Sequence, residues 1–111
     1  MDQSLTFQRT YEFYKELYTT LRQIPKRDRF TWGERCETMA LDLLRTIAKT
    51  NYATKIKRRA LLTKASDILD ILKLYIRLGH DLKIINEQKS LARQTELQEI
   101  GKLVGGWLRI A

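Results

Sequence analysis

The side chains that could do enzymatic chemistry are few in this sequence. His80 and Cys36 are the only histidine and the only cysteine among 111 residues. Cys36 lies on the apolar side of a predicted helix with no candidate base near it, which is typical of a core thiol rather than a nucleophile. We expect His80 to contact solvent or the last carbonyls of its helix. We therefore assign no catalytic residue and expect a protein that is not an enzyme.

The sequence lacks the residue patterns that usually bind metals and cofactors. No cysteine or histidine spacing supplies a metal site. Asp67 and Asp70 share no face with a second carboxylate pair, which excludes a di-metal site of the kind found in helical bundles. The sequence also has no glycine-rich loop that could cradle a phosphate. We expect no metal site and no cofactor.

Positive charge is the strongest chemical signal. The chain has 21 Lys and Arg against 13 Asp and Glu, a net charge of +8, which favours polyanionic partners. The densest group opens a predicted helix and consists of Lys55, Lys57, Arg58 and Arg59. Cations at a helix N-terminus are disfavoured by roughly 0.3–1 kcal/mol each, so a facing anion such as phosphate or an acidic side chain would offset that cost. The alternative is a solvated end screened by salt.

The rest of the composition is typical of a helical domain. A hydrophobic share of 43%, a charged share of 31%, one proline and five glycines fit a soluble globular protein with long helices. No apolar run approaches the ~20 residues that cross a bilayer, so we expect no membrane contact. The first residues lack the layout of a secretory signal, and one cysteine cannot form an internal disulfide, so we expect a cytoplasmic location.

Apolar residues recur at helical spacing in four segments. The predicted helices cover about residues 4–23, 32–50, 55–82 and 87–108. Connections of two to six residues force antiparallel neighbours. The sequence therefore predicts one all-α domain over residues 1–111, an antiparallel four-helix bundle with up-down-up-down topology.

Local signals set the predicted helix ends. The first helix should end before Pro25, because the residue that precedes a proline is pushed out of the helical region. Thr31 and Glu34 have the spacing of a capping box, which would start the second helix. Thr54 and Asn86 are the predicted N-caps of the third and fourth helices.

The apolar stripes predict which side of each helix faces the core. In the first helix the stripe is Phe7, Tyr11, Tyr14, Tyr18 and Leu21, with Phe13, Leu17 and Ile24 beside it. In the second it is Trp32, Cys36, Met39, Leu43 and Ile47. In the third it is Leu61, Ala65, Ile68, Leu72, Tyr75, Gly79 and Leu82. In the fourth it is Leu97, Ile100, Val104 and Trp107, and Gly101 and Gly105 would let another helix approach closely.

The third helix has more apolar surface than one core needs. The predicted stripe is widened on one flank by Leu62, Leu69 and Ile76 and on the other by Ile71, Leu74 and Leu78, so about two thirds of the circumference is apolar in the C-terminal half. The simplest use for this excess is contact with another subunit. The alternative is a central helix in the thick core of a monomer.

The antiparallel order sorts the cations into two groups roughly 40 Å apart. One end gathers Arg45, Lys49, Lys55, Lys57, Arg58 and Arg59. The other gathers Lys26, Arg27, Arg29, Arg77 and Lys83, with Lys73 a turn below. Tyr52 is the one aromatic candidate beside either group, and one aromatic is a weak signal for base stacking.

A known family pattern recurs in five segments, which are residues 24–27, 29–35, 41–44, 72–83 and 99–108. These segments resemble the four helix bundle protein family, in the branch of the accessory variability determinant. The most distinctive is the Gly-x-x-x-Gly-Gly-Trp ending, from Gly101 to Trp107. A related branch, encoded within ribosomal RNA intervening sequences, carries a segment in its second helix that this chain lacks.

The resemblance implies a homopentameric barrel that binds reverse transcriptase and template RNA and supports mutagenic reverse transcription. Lys26, Arg27, Lys73 and Arg77 fall where that family has basic residues. Contacts with RNA or DNA would be made mostly to phosphates. The other predicted contact residues are Arg29, Lys55, Lys57, Arg58, Arg59 and Lys83.

Two other functions fit the sequence less well. The chain could be a structural bundle whose partner is another protein, with the charge serving solubility. It also resembles helical-bundle ribonucleases of the HEPN type in size and charge. Those enzymes carry an Arg followed after four to six residues by a His, whereas only two residues separate Arg77 from His80.

Overall fold

The computed structural model describes residues 3–110, with side chains from residue 5 onward, and this part of the chain is helical without strands. The helices are α1 (Gln3–Leu21), α2 (Glu34–Thr50), α3 (Lys55–Asp81) and α4 (Glu87–Ile110). A 3₁₀ turn (Lys26–Asp28) and a π-helical turn (Arg29–Gly33) precede α2.

The four helices form an antiparallel bundle in which each helix packs against two neighbours. Both α1 and α3 contact α2 and α4. The start of α1 meets the end of α4 through Arg9 and Glu99, and Arg93 near the start of α4 reaches Thr20 near the end of α1. The described residues extend 43 × 22 × 19 Å, so the two ends of the bundle lie about as far apart as predicted.

Two of the predicted helix caps are confirmed. The Thr54 hydroxyl oxygen accepts a hydrogen bond from the Lys57 backbone N–H at 3.4 Å. The Asn86 Oδ1 accepts one from the Lys89 backbone N–H at 2.8 Å. Both contacts satisfy an N–H group that the first turn of a helix leaves without a partner.

The predicted capping box is wrong. Thr31 lies inside the π-helical turn, where its hydroxyl donates to the Asp28 carbonyl oxygen at 3.4 Å. An N-cap residue needs extended backbone, and here Pro25 has that conformation, with φ −55° and ψ 140°. Helical turns begin directly after Pro25, so Thr31 and Glu34 are already within helical backbone.

The core-facing side of α3 includes Ala65, Leu72 and Gly79 of the predicted stripe, and elsewhere it is shifted by one position toward the flank of Leu62, Leu69 and Ile76. Its buried residues are Leu62, Ala65, Leu69, Leu72, Ile76 and Gly79. Leu61, Ile68 and Tyr75 lie at the edge of the core, and Leu82 is exposed. Because most of the circumference is apolar, the period alone could not decide which part faces α2 and α4.

The prediction for α1 is confirmed for Leu21, which is buried, and for Phe7 and Tyr14, which pack against the core, but it is wrong for Tyr11 and Tyr18. Tyr11 and Tyr18 are about half exposed, whereas Phe13 and Leu17 are buried together with Thr6, Thr10 and Thr20. The Thr10 and Thr20 hydroxyls donate to carbonyl oxygens four residues earlier, at 2.8 and 3.0 Å. These internal hydrogen bonds let threonine enter the core without an unsatisfied polar group.

The α4 stripe of Leu97, Ile100, Val104 and Trp107 is buried as predicted. In the first half of α4 a polar contact replaces the apolar stripe. Arg93 is buried, makes two hydrogen bonds to the Glu96 carboxylate at 2.6 and 3.1 Å, and donates to Thr20 Oγ1 of α1 at 2.7 Å. A buried guanidinium needs this many partners because an unpaired one would be very costly.

The close helix approach expected at Gly101 and Gly105 does not occur within one chain. A Cβ at Gly101 would meet only the Lys73 ammonium, at 3.4 Å, and one at Gly105 only the Arg109 guanidinium, at 4.0 Å. The close approach occurs instead at Gly79 of α3, where an added Cβ would lie 2.2 Å from the Trp32 ring. The Trp32 Nε1 donates to the Tyr75 carbonyl oxygen at 2.8 Å, which fixes the indole on this glycine.

Candidate nucleic-acid interface

Among residues 3–110, one end of the bundle is basic and has no carboxylate side chain near its cations. Residues 43–66 contain seven Lys and Arg and no Asp or Glu. This stretch covers the last turns of α2 and the first turns of α3, and the last turns of α4 at the same end also lack acidic residues after Glu99. We call this surface the basic end and define it by Lys49, Lys55, Lys57, Arg58 and Arg59. The acid-free run is visible in the sequence, and the fold confirms the predicted grouping of these cations at one end.

Two arginines of the basic end have partners inside the protein. The Arg58 guanidinium donates to the Thr50 and Ala53 carbonyl oxygens at 3.3 and 3.2 Å. Arg59 NH1 donates to the Leu108 carbonyl oxygen at 3.1 Å. These carbonyls lie at or just beyond the C-terminal ends of α2 and α4, which carry partial negative charge. The neighbouring helices therefore offset part of the cost for which the sequence suggested an external anion.

The three lysines of the basic end remain available. Within residues 3–110, the ammonium groups of Lys49, Lys55 and Lys57 have no hydrogen-bond or ion-pair partner, and all three side chains are exposed. Clustered lysines without carboxylates produce a positive potential that attracts polyanions. The lysines can therefore contact phosphates, while the arginines mainly hold the helix ends.

A shallow groove adjoins these lysines. It has a volume of about 440 Å³ and is lined by Lys49, Tyr52, Ala53, Lys57, Ala60 and Leu61. Tyr52 is 92% exposed and the nearby Ile56 is 85% exposed. The groove thus combines an apolar floor, an uncovered aromatic ring and two cations.

The opposite end mixes both signs of charge. We call it the mixed end and define it by its cations, Lys26, Arg27, Arg29, Arg77 and Lys83. Arg27 Nε lies 3.7 Å from the Asp28 carboxylate, and Arg29 donates to the Arg22 carbonyl oxygen just beyond α1 at 3.3 Å. Further carboxylates in the same turns belong to Glu34, Asp81 and Glu87. This arrangement weakens the attraction for a polyanion.

Lys83 of the mixed end also has a structural role. Its φ of 61° places it in the left-handed region at the C-terminus of α3. Its N–H donates to the His80 carbonyl at 2.9 Å, and the Ile84 N–H donates to the Gly79 carbonyl at 2.8 Å. These two bonds form a Schellman motif, which usually has glycine at the left-handed position.

Lys73, a turn below the mixed end, lies beside α4 rather than on an open surface. Its side chain is only partly exposed, and its ammonium covers Gly101. Arg77 is exposed and has no charged partner among the described residues. Lys73 and Arg77 both fall where the family that this chain resembles has basic residues, but Arg77 is more accessible to solvent than Lys73.

The predicted subunit-contact residues lie on the surface of the single chain. Ile71, Leu74 and Leu78 are 45%, 51% and 42% exposed. We call these three side chains the aliphatic face. The alternative, in which the thick core of a monomer covers them, is wrong. A groove of about 400 Å³ between α2 and α3 is lined by Phe30, Met39 and Tyr75 together with Glu34, Arg35 and Thr38, so the surface beside this face is partly apolar and partly charged.

The residues considered for chemistry show no catalytic arrangement. Cys36 is fully buried, and burial raises the pKa of its thiol to about 12. A thiol with this pKa stays protonated at neutral pH and is a poor nucleophile. His80 Nδ1 lies 3.9 Å from the Asp81 carboxylate on a partly exposed surface. Between residues 3 and 110, no group of three or more His, Cys, Asp or Glu side chains is placed to hold a metal ion.

Comparison with known proteins identifies the family. A family model described as bAvd-like matches residues 4–111, nearly the whole chain. The chain belongs to the bAvd-like family. The match confirms the resemblance carried by the segments between Ile24 and Leu108, and it includes both ends of this bAvd-like bundle. A search of curated proteins found no match. None of the described helices of the bAvd-like chain is long and apolar enough to cross a membrane.

Proposed function

We propose that this bAvd-like protein is a non-catalytic accessory protein that binds reverse transcriptase and template RNA and supports mutagenic reverse transcription in the cytoplasm. The observation that carries the RNA part is the basic end, where Lys49, Lys55 and Lys57 are exposed, unpaired within residues 3–110 and remote from carboxylates. Lysine contacts to phosphate are independent of base sequence. Such binding suits a protein that must hold a template of variable sequence.

The same proposal includes assembly into a homopentameric barrel. The aliphatic face supports it, because three neighbouring aliphatic side chains that are 42–51% exposed gain free energy when another copy covers them. Assembly would also repeat the basic end several times around one particle. Repeated weak contacts to one RNA strengthen each other through effective concentration.

The RNA part is tested by a filter-binding titration at several salt concentrations. Wild-type affinity should fall as salt rises, because each phosphate contact releases counterions; the slope of log K against log salt is about −0.7 per contact for single strands. The variant Lys49→Glu/Lys55→Glu/Lys57→Glu should bind about 100-fold more weakly, with a slope shallower by about 2. An affinity that does not change with salt would contradict RNA binding.

The mixed end provides a matched control for this variant. Lys26→Glu/Arg77→Glu/Lys83→Glu changes the net charge by the same amount at the other end of the bundle. It should weaken binding by less than about 10-fold, through the long-range field alone. An equal loss of RNA affinity in the two variants would contradict the assignment of the RNA contact to the basic end.

The assembly part is tested by sedimentation velocity. Leu74→Asp places a charge in the middle of the aliphatic face and should convert the assembly to single chains. Leu91→Asp on α4 is the control, because Leu91 is exposed to a similar degree outside that face. A wild-type protein that sediments as a single chain at tens of micromolar would contradict the assembly.

A protein-interaction bundle remains the second candidate, and the aliphatic face is the observation that favours it. This candidate predicts no salt-dependent RNA binding and no effect of the three lysine substitutions. The partner part of the leading proposal is tested by co-purification with a reverse transcriptase from a diversity-generating retroelement. If the wild-type protein captures the reverse transcriptase and the Leu74→Asp variant does not, the reverse transcriptase binds the assembled form.

A further inference from the structure

The chain segment that presents Tyr52 is held firmly although its ring is uncovered. The Tyr52 N–H donates to the Lys49 carbonyl oxygen at 3.2 Å, which extends the last turn of α2. The Arg58 guanidinium holds the carbonyls of Thr50 and Ala53, on both sides of Tyr52. The ring is 92% exposed on this anchored turn. An exposed aromatic ring on a hydrogen-bonded turn is preorganised for binding. A ligand that covers it gains apolar contact while the turn loses little conformational entropy.

The groove beside the ring suits a flat ligand with negative charge on either side. Ala53, Ala60 and Leu61 line it together with Tyr52, and the lining surface is almost entirely apolar. Lys49 and Lys57 also line it, and neither ammonium has a partner within residues 3–110. The volume of about 440 Å³ lies within the ~300–1,000 Å³ typical of ligand sites. An apolar lining, an aromatic ring and two cations match the chemistry of a nucleotide within a strand.

We propose that Tyr52 stacks on an unpaired base of single-stranded RNA while Lys49 and Lys57 contact the phosphates on either side. This inference rests on the RNA binding of the proposed function and adds that the bound RNA is single-stranded rather than duplex. A duplex offers the same phosphates, but its base faces are covered by neighbouring bases. A single strand offers both features, and stacking tolerates any base because every base has a π-face.

The test compares two tyrosine variants on two RNAs. Fluorescence anisotropy is measured at several salt concentrations with a labelled unstructured 12-mer and with a duplex of the same length, and the variants are compared at equal salt. Tyr52→Ala should weaken binding of the single strand at least about 5-fold, and as much as about 150-fold, since stacking contributes roughly 1–3 kcal/mol per base. Binding of the duplex should change less than 2-fold. Tyr52→Phe keeps the ring and should bind the single strand like wild type.

Tyr11→Ala is the matched control, because Tyr11 is a half-exposed tyrosine on α1 outside the basic end. It should leave both RNAs unaffected. The side chain of Tyr52 is nearly uncovered, so its removal should leave the thermal melt unchanged. The salt slope should also stay the same in Tyr52→Ala, because no phosphate contact is removed.

The failures of the two proposals can be told apart. If the lysine variant loses RNA binding but Tyr52→Ala binds the single strand like wild type, the stacking inference is overturned and phosphate binding stands. Equal loss on single strand and duplex, or a loss in Tyr52→Phe, also overturns stacking. If wild type binds neither RNA at any salt, the proposed function fails. A Tyr52-dependent binding to phosphatidylcholine–phosphatidylserine vesicles, with single-strand affinity unchanged, would assign the surface to membranes and overturn the inference.

Discussion

The two ends of this bundle are each defined by five cations, and they use them differently. At the basic end the arginines bond to carbonyls at the ends of α2 and α4, and the lysines project without acidic neighbours. At the mixed end carboxylates accompany the cations, and the Trp32 indole packs tightly on Gly79. The difference indicates that the mixed end mainly stabilises the fold. At the basic end the arginines stabilise the helix ends, and the lysines leave a charged surface exposed. Counting cations alone would treat the two ends as equivalent.

The largest expected effect tests the tight packing of Trp32 on Gly79 at the mixed end. Gly79→Ala would place a Cβ 2.2 Å from the Trp32 ring, so the indole or α3 must shift. We expect a loss of about 3 kcal/mol in unfolding free energy, at the upper end of overpacking costs, and a melting temperature lower by on the order of 10 °C. Thermal denaturation followed by circular dichroism measures this change.

Gly101→Ala is the control for that measurement. A Cβ there would meet only the flexible end of Lys73 at 3.4 Å. Alanine is the better helix former by about 1 kcal/mol, so this variant should be as stable as wild type or slightly more stable. Equal destabilisation of the two variants would contradict the special packing at Gly79.

The next effect separates arginine from lysine at the basic end. Arg58→Met removes the hydrogen bonds to the Thr50 and Ala53 carbonyls, so unfolding free energy should fall by about 1 kcal/mol. Lys57→Met removes a cation that has no partner within the described chain, so it should leave stability unchanged and reduce RNA affinity. Chemical denaturation and filter binding on both variants measure the two outcomes. The division of roles is wrong if Lys57→Met destabilises the protein as much as Arg58→Met does.

A stabilising effect, with little change in RNA affinity, is expected at Lys83. Lys83→Gly relieves the left-handed backbone, whose φ is 61°, and should raise unfolding free energy by about 1 kcal/mol. It also removes one cation from the mixed end. RNA affinity should stay within 2-fold of wild type if the basic end binds the RNA. A clear loss of affinity in this stabilised variant would move the contact to the mixed end.

Local sequence signals predicted those features that depend on neighbouring residues. Thr54 and Asn86 cap their helices because an N-cap contact needs only the next three residues. The helix ranges follow from periodicity in the same way, although α1 ends at Leu21, two residues before its predicted end. The acid-free run from 43 to 66 also belongs to the sequence, and it was the available signal for the basic end.

Features that depend on a second helix were not predictable from the pattern. Thr20 and Arg93 are buried against each other, and neither would be assigned to a core by hydrophobicity. Tyr11 and Tyr18 of α1 were predicted to face the core from the period of the apolar stripe, but they are half exposed, and Thr10 and Thr20 with internal hydrogen bonds are buried. The capping box at Thr31 failed because the chain is already helical after Pro25.

By itself the sequence determined the helical character, the positions of the helices, the net charge and the excess apolar surface of α3, because these depend on residue type and period. Only the tertiary structure decided which face of α1 and α3 is buried, that Arg58 and Arg59 contact the ends of neighbouring helices, and that Tyr52 shares a groove with Lys49 and Lys57. The physical reason is that burial and pairing are properties of two surfaces in contact. A single chain pattern specifies only one of those surfaces.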